Sequence, residues 1–187
     1  MAGGGGGVGP PGGDFGSPSP FGFAFAGAAP GGGFFSEALV RVAAGEDFPV
    51  QRGGLTNILL LARTIYAAAA AQYRIPNAME GVGHVIRNRV EVPGFSKTYE
   101  GVIYQRGQFA EVGSPLWREA GNPAALRGDA AAAYSRALTV AEGIYYGTIP
   151  DPTGGAVAFH SIEGRYTHPG SSRWEFIKEI GPFKFFK

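Results

Sequence analysis

The sequence has no cysteine and almost no net charge, and both absences narrow its possible functions. Without cysteine in 187 residues, disulfides, thiolate nucleophiles and thiolate metal ligands are all excluded. A formal net charge of +1 gives no basic surface of the kind that nucleic-acid-binding proteins concentrate on one face. We therefore expect no nucleic-acid partner.

Targeting signals are also lacking. The N-terminus has no basic start followed by an apolar centre, so we expect no signal peptide. No apolar run in the sequence reaches the roughly 18 residues that are needed to cross a bilayer, so we expect no membrane span. What the chain does contain is 44% hydrophobic and 13% aromatic residues, enough for one sizeable core.

Residues 1–35 differ in composition from the rest. Of the 32 glycines, 14 fall in the first 33 positions. A segment of this kind cannot by itself repay its ordering entropy. It is nearly uncharged and rich in phenylalanine, which favours an extended arm whose rings fill pockets on a partner, with a flexible linker as the alternative. Residues 36–57 connect this arm to a domain at 58–187.

Helical periodicity is strongest in the first part of that domain. Leucines, isoleucines and alanines at helical spacing predict a helix over Leu55–Tyr73, which Pro76 ends. Asn77 is a candidate N-cap for a second helix that runs to about Val90. The two helices are expected to pack against each other.

The rest of the chain predicts shorter elements. A single helical turn and a loop are expected over residues 99–109, and a short helix after Asn122. A third long helix is expected from Ala130 to Tyr146, with Asp129 as N-cap and Gly147 as C-cap. Strands are expected over residues 156–160 and at the very end of the chain, after a Gly-Pro turn.

Five short motifs follow one another along this domain. They are Leu61–Tyr66 (LARTIY), Asn88–Val90 (NRV), Gly101–Gln105 with Gly107–Phe109 (GVIYQ and GQF), Asp151–Ala156 with Phe159–His160 (DPTGGA and FH), and Ile180–Gly181. In this order they resemble the SleB/CwlJ-type cell wall hydrolases, the family of the spore-cortex-lytic enzymes. The resemblance covers about residues 58–186.

The resemblance implies an α+β domain, mainly helical with a small antiparallel sheet and distantly lysozyme-like, that cuts the glycan strands of peptidoglycan. Such cleavage needs a protonated carboxylic acid beside the glycosidic oxygen, and burial raises a glutamate's pKa so that it can donate. In lytic transglycosylases the sugar's own substituents replace a second carboxylate, an exception to the usual pair. One glutamate therefore carries the chemistry, and neither a metal nor a cofactor is implied.

In the family, that glutamate lies two residues after the tyrosine that ends the first motif. Aligning Tyr66 with that tyrosine places Ala68 at the glutamate position and Gln72 at a second family glutamate. No acidic residue occurs between Arg63 and Met79. The sequence thus predicts the family's domain with its principal acid absent.

Two other glutamates are candidate substitutes. Glu80 and His84 lie four residues apart, on one face of the second helix. They form an acid with a tuning partner, two ligands of a metal site that lacks a third, or a structural polar pair. Glu111 follows Gln108 and Phe109 in the loop expected to border the groove, and the alternative is an exposed loop charge.

The remaining groove candidates are residues that can contact a sugar. Gln108 offers an amide and Phe109 an aromatic surface, although Phe109 also suits the core. Thr153 and Gly154 offer a hydroxyl and a close backbone approach, and the same residues are ordinary turn formers. His160 suits either a ligand contact or a satisfied strand histidine.

Loss of the acid removes several kcal/mol of transition-state stabilisation. We therefore expect a catalytically impaired domain that contacts peptidoglycan. The arm suggests assembly with other proteins of a virion or phage-like tail, which would place the protein in that particle and at the bacterial wall. Two alternatives stay open: an active hydrolase that uses Glu80 or Glu111, and a purely structural virion protein that binds no glycan.

Overall fold

The computed structural model describes residues 52–162 and 174–187. The predicted arm and most of the predicted connecting segment lie outside these ranges, so both stay predictions. The described residues form five α-helices, two short 3₁₀ segments and three strands. In chain order they are α1 (Arg52–Ala69), a 3₁₀ segment (Ala70–Gln72), α2 (Ala78–Glu91), α3 (Tyr99–Ile103), α4 (Pro115–Glu119), a 3₁₀ segment (Pro123–Ala125), α5 (Gly128–Tyr146), β1 (Ala158–Ser161), β2 (Phe176–Ile180) and β3 (Phe183–Phe186).

Helix α1 is the central element of the core. It packs against both other long helices, α2 and α5. Its apolar residues recur every three or four positions, and the buried set includes Ile58, Leu61 and Ile65, each 0% exposed. Tyr66 meets Tyr134 of α5 edge to face, with ring centroids 5.8 Å apart. The predicted long helix is confirmed, with its last turn tightened into a 3₁₀ segment.

A glycine sets how closely the three long helices approach. A Cβ built on Gly83 of α2 would lie 2.4 Å from Ile144 Cδ1 and 2.8 Å from Ile65 Cδ1. Both distances are far inside normal van der Waals contact, so any larger residue would force the packed isoleucines to move. Gly83 therefore allows α1, α2 and α5 to meet at one point.

The helix ends match the sequence prediction only in part. Gly147 ends α5 in the left-handed conformation (φ 74°), as predicted. Asn77 precedes α2 with φ 63° and its side chain caps nothing, so the predicted N-cap bond is wrong. Asp129 lies inside the first turn of α5, where it accepts hydrogen bonds from Tyr73 Oη (3.0 Å) and Arg74 Nη2 (2.9 Å).

The short helices α3 and α4 are capped by hydroxyl side chains. Thr98 accepts a hydrogen bond from the Gly101 amide, and Ser114 accepts one from the Trp117 amide. The sequence prediction included α3 but missed α4, although Ser114 followed by Pro115 is a typical helix start.

The three strands form one antiparallel sheet in the order β1-β3-β2. Phe159 pairs with Phe185, and Ile180 pairs with Phe183. Phe185 is fully buried, and its ring lies 2.6 Å from where a Cβ on Gly81 of α2 would stand. The sheet thus packs on α2, and the predicted mainly helical α+β fold with a small antiparallel sheet is confirmed.

One helix bears on the expectation that the chain has no membrane span. Residues 53–72 are long and apolar enough, by length and composition alone, to cross a bilayer. Half of that stretch is buried inside the domain, and Ile65 lies among side chains of α2 and α5. The core helix of a globular domain meets the same criterion, which explains why the sequence pattern and the length criterion disagree.

Candidate active site

The position aligned with the family glutamate lies at the C-terminal end of α1. Ala68 is partly exposed, while Ala67 and Ala69 on either side are 8% and 0% exposed. The 3₁₀ segment then carries Ala70, Ala71 and Gln72, of which Ala71 is exposed. The accessible surface here is made of methyl groups and one amide. We call Ala67–Ala71 the alanine segment.

Ala68 and Tyr66 lie on nearly opposite faces of α1. Two residues turn an α-helix by about 200°, which leaves about 160° between the two side chains. Tyr66 faces Tyr134 of α5, so Ala68 points away from that contact. The surface beside Ala68 is therefore distinct from the one beside Tyr66.

The Tyr66 side of the helix holds a cavity of about 360 Å³. Its polar lining includes Tyr73, Arg74, Glu119 and Asp129. Burial raises the pKa of Tyr66, and the nearby negative charge of Glu119 raises it further. These contacts join distant parts of the chain, so no local pattern in the sequence announces them.

The loop at residues 104–114 connects α3 to α4, and both of these helices pack on α1. Phe109 anchors the loop: it is 6% exposed, lies 6.4 Å from the Phe159 ring of β1 and lies under the Arg89 guanidinium at 5.0 Å. The aromatic ring is thus part of the core. This placement fits the alternative, left open above, that Phe109 belongs to the core.

Gln108 and Glu111 flank that anchor. Gln108 is partly buried, and its Oε1 atom is enclosed without a hydrogen-bond donor among the described residues. Glu111 is also partly buried. Burial raises the pKa of the Glu111 carboxyl above its usual value, and a hydrogen bond from the residue's own backbone N–H partly offsets that rise.

The turn at residues 151–156, which we call the Asp151 turn, is a closed network. Asp151 accepts hydrogen bonds from Thr153 N and Oγ1 (both 2.7 Å), Gly155 N (2.8 Å) and Asn88 Nδ2 (3.0 Å). Asn88 also donates to the Ala156 carbonyl at 2.9 Å. Burial alone raises the pKa of Asp151, but these hydrogen bonds outweigh it and hold the pKa below its usual value.

Thr153 belongs to this network, which fits the alternative that it is a turn former rather than a ligand contact. The side chain is 0% exposed, and its hydroxyl donates to Asp151 and accepts from Ala156 N at 3.0 Å. Because the side chain is fully buried, the hydroxyl is not accessible to a sugar. Gly154 is exposed with φ 76° and remains a candidate for close backbone approach.

Glu80 and His84 share a face of α2 but have separate partners. Glu80, 7% exposed, forms an ion pair with Arg136 of α5. His84, 3% exposed, lies with Nε2 3.1 Å from the Ile149 carbonyl oxygen, and burial is the largest influence that lowers the pKa of His84. Both residues connect α2 to neighbouring segments, so the structural interpretation fits them best.

Arg89 is a positioning residue that sequence reasoning did not single out. Its Nε donates to the Val157 carbonyl, and its guanidinium lies over the rings of Phe95 (5.1 Å) and Phe109. It thereby joins α2, the 104–114 loop and the segment that enters β1. The Asn-Arg-Val motif at residues 88–90 was the feature of the sequence that could have indicated this role for Arg89.

His160 and Gln72 remain accessible groove candidates. The His160 ring stacks on Phe186 with centroids 5.1 Å apart, and Nδ1 lies 2.7 Å from the Ser161 carbonyl oxygen. Gln72 is partly exposed at the end of the 3₁₀ segment. Within residues 52–162 and 174–187, no three His, Asp or Glu side chains are grouped closely enough to hold a metal ion.

Comparison with known proteins identifies the protein family. The family model described as Cell Wall Hydrolase matches residues 76–186, which include α2, the 104–114 loop, the Asp151 turn and the sheet. The chain belongs to the cell wall hydrolase family. The match begins after α1 and therefore does not include Ala68.

Two solved structures are similar. The catalytic domain of the germination-specific lytic transglycosylase SleB from Bacillus anthracis is 22% identical, with a TM-score of 0.51 over 76% of this chain and 100% of that one. The catalytic domain of the Bacillus cereus SleB protein is 26% identical, with a TM-score of 0.46 over 70% of this chain and 89% of that one. The first of these supports the fold. No curated protein sequence gives a significant match.

Proposed function

We propose that this chain is a peptidoglycan-contacting member of the cell wall hydrolase family in which glycosidic cleavage is impaired. The observation that carries the proposal is the contrast between a closed Asp151 turn and an alanine segment at the end of α1. Residues 52–72 contain no carboxylate at all, so α1 has no group that can protonate a glycosidic oxygen.

The test of contact is retention on insoluble peptidoglycan. The full chain is expected to sediment with purified peptidoglycan and to be displaced by soluble glycan fragments. Glu91→Gln serves as a control, because this carboxylate is exposed and its ion-pair partner within residues 52–162 and 174–187 is its neighbour Arg87 on α2. If the folded chain stays in the supernatant, it is a structural protein without glycan binding.

We further propose that the protein works within a virion or phage-like tail, held there through its N-terminal arm. The support is compositional: a glycine-rich segment with several phenylalanines and almost no charge precedes a domain of a wall-degrading family. Deletion of residues 1–33 is expected to abolish incorporation into particles while the domain stays folded. Unchanged incorporation would rule out this role for the arm.

A second candidate function is retained peptidoglycan cleavage with Glu111 as the acid. Its partial burial favours this candidate, because a carboxyl whose pKa is raised keeps its proton closer to neutral pH. Glu80 is a weaker substitute because it is committed to Arg136. Release of soluble muropeptides by the wild type, abolished in Glu111→Gln, would establish this candidate over impaired cleavage.

A further inference from the structure

The cavity beside Tyr66 lies on the side of α1 that faces away from Ala68. Its volume of about 360 Å³ is at the lower end of the about 300–1,000 Å³ that small-molecule sites occupy. The C-terminal end of α1 with the 3₁₀ segment, helix α4 and the first turns of α5 border it. A ligand held here would therefore bind apart from the surface beside Ala68.

The walls of this cavity are largely apolar. The Leu116 side chain, 40% exposed, carries the apolar lining out to the protein surface. Four methyl groups complete the walls, those of Ala70, Ala71, Ala130 and Ala133. Such walls give van der Waals contact to an alkyl chain but offer no hydrogen bonds to the hydroxyls of a sugar.

The charges that line the cavity do not balance. They are one guanidinium, that of Arg74, and two carboxylates, those of Asp129 and Glu119. Arg74 Nη2 donates to Asp129 Oδ1 at 2.9 Å, and Tyr73 Oη donates to the same oxygen at 3.0 Å. Within residues 52–162 and 174–187, no lysine or arginine forms an ion pair with Glu119. The cavity therefore has an excess of negative charge, which a bound cation would neutralise.

Glu119 lies near the Tyr66 hydroxyl. Both residues line the cavity, and after burial the Glu119 charge is the next influence that raises the pKa of Tyr66. Tyr66 is 1% exposed, whereas Glu119 is exposed at the end of α4. A carboxylate next to a tyrosine ring and methyl groups favours an ammonium group, since the charges attract and the ring face also interacts with a cation.

We propose that the cavity beside Tyr66 binds a primary alkylammonium group, with the ammonium on Glu119 and the alkyl chain along Leu116 and the alanine methyl groups. An ammonium has three N–H donors and no acceptor, which suits carboxylate and phenol oxygens. The inference rests on the proposed function for the source of the ligand. Peptidoglycan carries primary amines on the diamino acids of its stem peptides and on sugars that have lost their acetyl group.

The ligand test compares probes that differ only in acetylation of an amine. One pair is N-acetyl-alanyl-γ-glutamyl-lysine with its side-chain amine free or acetylated, and the other is the β-1,4 tetramer of glucosamine or of N-acetylglucosamine. NMR titration of the full chain at mildly acidic pH, where both amines are charged, should show about fivefold tighter binding of a free amine. A preference in the peptide pair, the sugar pair or both identifies the source. No preference in either pair would overturn the proposal.

Glu119→Gln tests the proposed ion pair. It keeps the shape of the side chain and removes its charge, so the preference for the free amine should disappear while the acetylated probe binds as before. Glu100→Gln is the matched control, because Glu100 is an exposed carboxylate on another short helix, α3, and does not line the cavity. A preference that survives in Glu119→Gln, with folding verified by circular dichroism, would refute the site.

Ala130→Leu tests the apolar wall. The larger side chain should occupy part of the cavity and weaken binding of the free amine about 3- to 10-fold. Ala132→Leu is the control, because Ala132 is exposed on the same helix and does not line the cavity. Unchanged affinity in a folded Ala130→Leu variant would place the amine elsewhere and overturn the proposal.

Failure of this site and failure of the proposed function are distinguishable. If neither probe pair shows a preference but the full chain is retained on insoluble peptidoglycan, the proposed function stands without the ammonium site. If the free amine is preferred but the chain is not retained, the site stands and peptidoglycan is not its ligand.

Discussion

The Asp151 turn and the alanine segment of α1 belong to one domain but differ in the number of hydrogen bonds that their side chains make. In the turn, a single carboxylate accepts from two backbone amides, a hydroxyl and an asparagine amide. The alanine segment has methyl groups where the family resemblance expects a carboxylate. Polar bonding that maintains the fold is present in the turn, whereas the alanine segment carries no polar side chain.

The proposed impairment implies that the fold of this chain does not depend on an acid at the end of α1. Alanine at the end of α1 costs the fold nothing, because it is the best helix former and leaves no polar group to satisfy. Loss of Asp151 would instead leave several donors without an acceptor. Substitutions in the two regions should therefore differ greatly in their effect on stability.

The largest effect on stability is expected from Asp151→Ala. It removes an acceptor shared by Asn88, Thr153 and Gly155, and we expect a loss of about 3 kcal/mol in the free energy of unfolding, measured with urea. Asp151→Asn is the control, since it preserves shape and one acceptor and should cost less. A loss below about 1 kcal/mol in Asp151→Ala would break the contrast between the two regions.

The same carboxylate predicts a pH dependence. The pKa of Asp151 is depressed below its ordinary 3.8 in the folded domain. A depressed pKa contributes stability that is present above 3.8 and is lost as the pH falls through the folded value. The slope of unfolding free energy against pH below 3.8 should therefore be smaller in Asp151→Asn than in the wild type, and an identical slope would contradict the assignment.

A smaller loss is expected at the ion pair between α2 and α5. Arg136→Ala leaves the Glu80 carboxylate 7% exposed without its partner, and we expect a cost of about 2 kcal/mol. The double variant Arg136→Ala with Glu80→Gln should recover part of it. Both variants should be retained on peptidoglycan like the wild type. Loss of retention without loss of stability would instead place Glu80 in the groove.

Crowding at the helix crossing should cost about 1–2 kcal/mol. Gly83→Ala places a Cβ against Ile65 and Ile144 of the packed core. Gly53→Ala is the matched control, because nothing lies within 4 Å of its added Cβ in α1 and alanine favours the helix. The control should be neutral or slightly stabilising in thermal unfolding. Equal losses in both variants would mean that close approach at Gly83 is not the cause.

The smallest effect is expected in the region after the alanine segment. Gln72→Ala should change stability by less than about 0.5 kcal/mol, because the side chain is partly exposed and the backbone carbonyl, which accepts from Ile75 N at 2.8 Å, is kept. Reduced retention on peptidoglycan at unchanged stability would sharpen the comparison by placing Gln72 in the glycan groove. A large stability loss would show that this region also maintains the fold.

The sequence predicted what depends on local pattern. Leucine and alanine spacing located α1, and Gly147 ended α5 as its conformational freedom suggests. Strand β2 was missed because its residues are mostly exposed and carry Lys178 and Glu179, so only pairing with β3 defines it. Pattern alone favours strands whose apolar and polar residues alternate.

The site was less predictable because its side chains have distant partners. The sequence suggests the Thr153 hydroxyl as a ligand contact, but in the structure this hydroxyl donates to Asp151 and accepts from Ala156 N. Glu80 has its partner 56 residues away in Arg136. Which polar group stays unsatisfied, as Gln108 Oε1 does, depends on all neighbours together.

The most direct test of the central claim is muropeptide release from purified peptidoglycan by the wild type, Ala68→Glu and Ala71→Glu. Ala71 is the matched control, since it is exposed and lies three residues further along the alanine segment. If α1 lacks the catalytic acid, the wild type should release few muropeptides and Ala68→Glu should release many. Ala71→Glu should release no more than the wild type. Release by the wild type at the rate of Ala68→Glu would contradict the account.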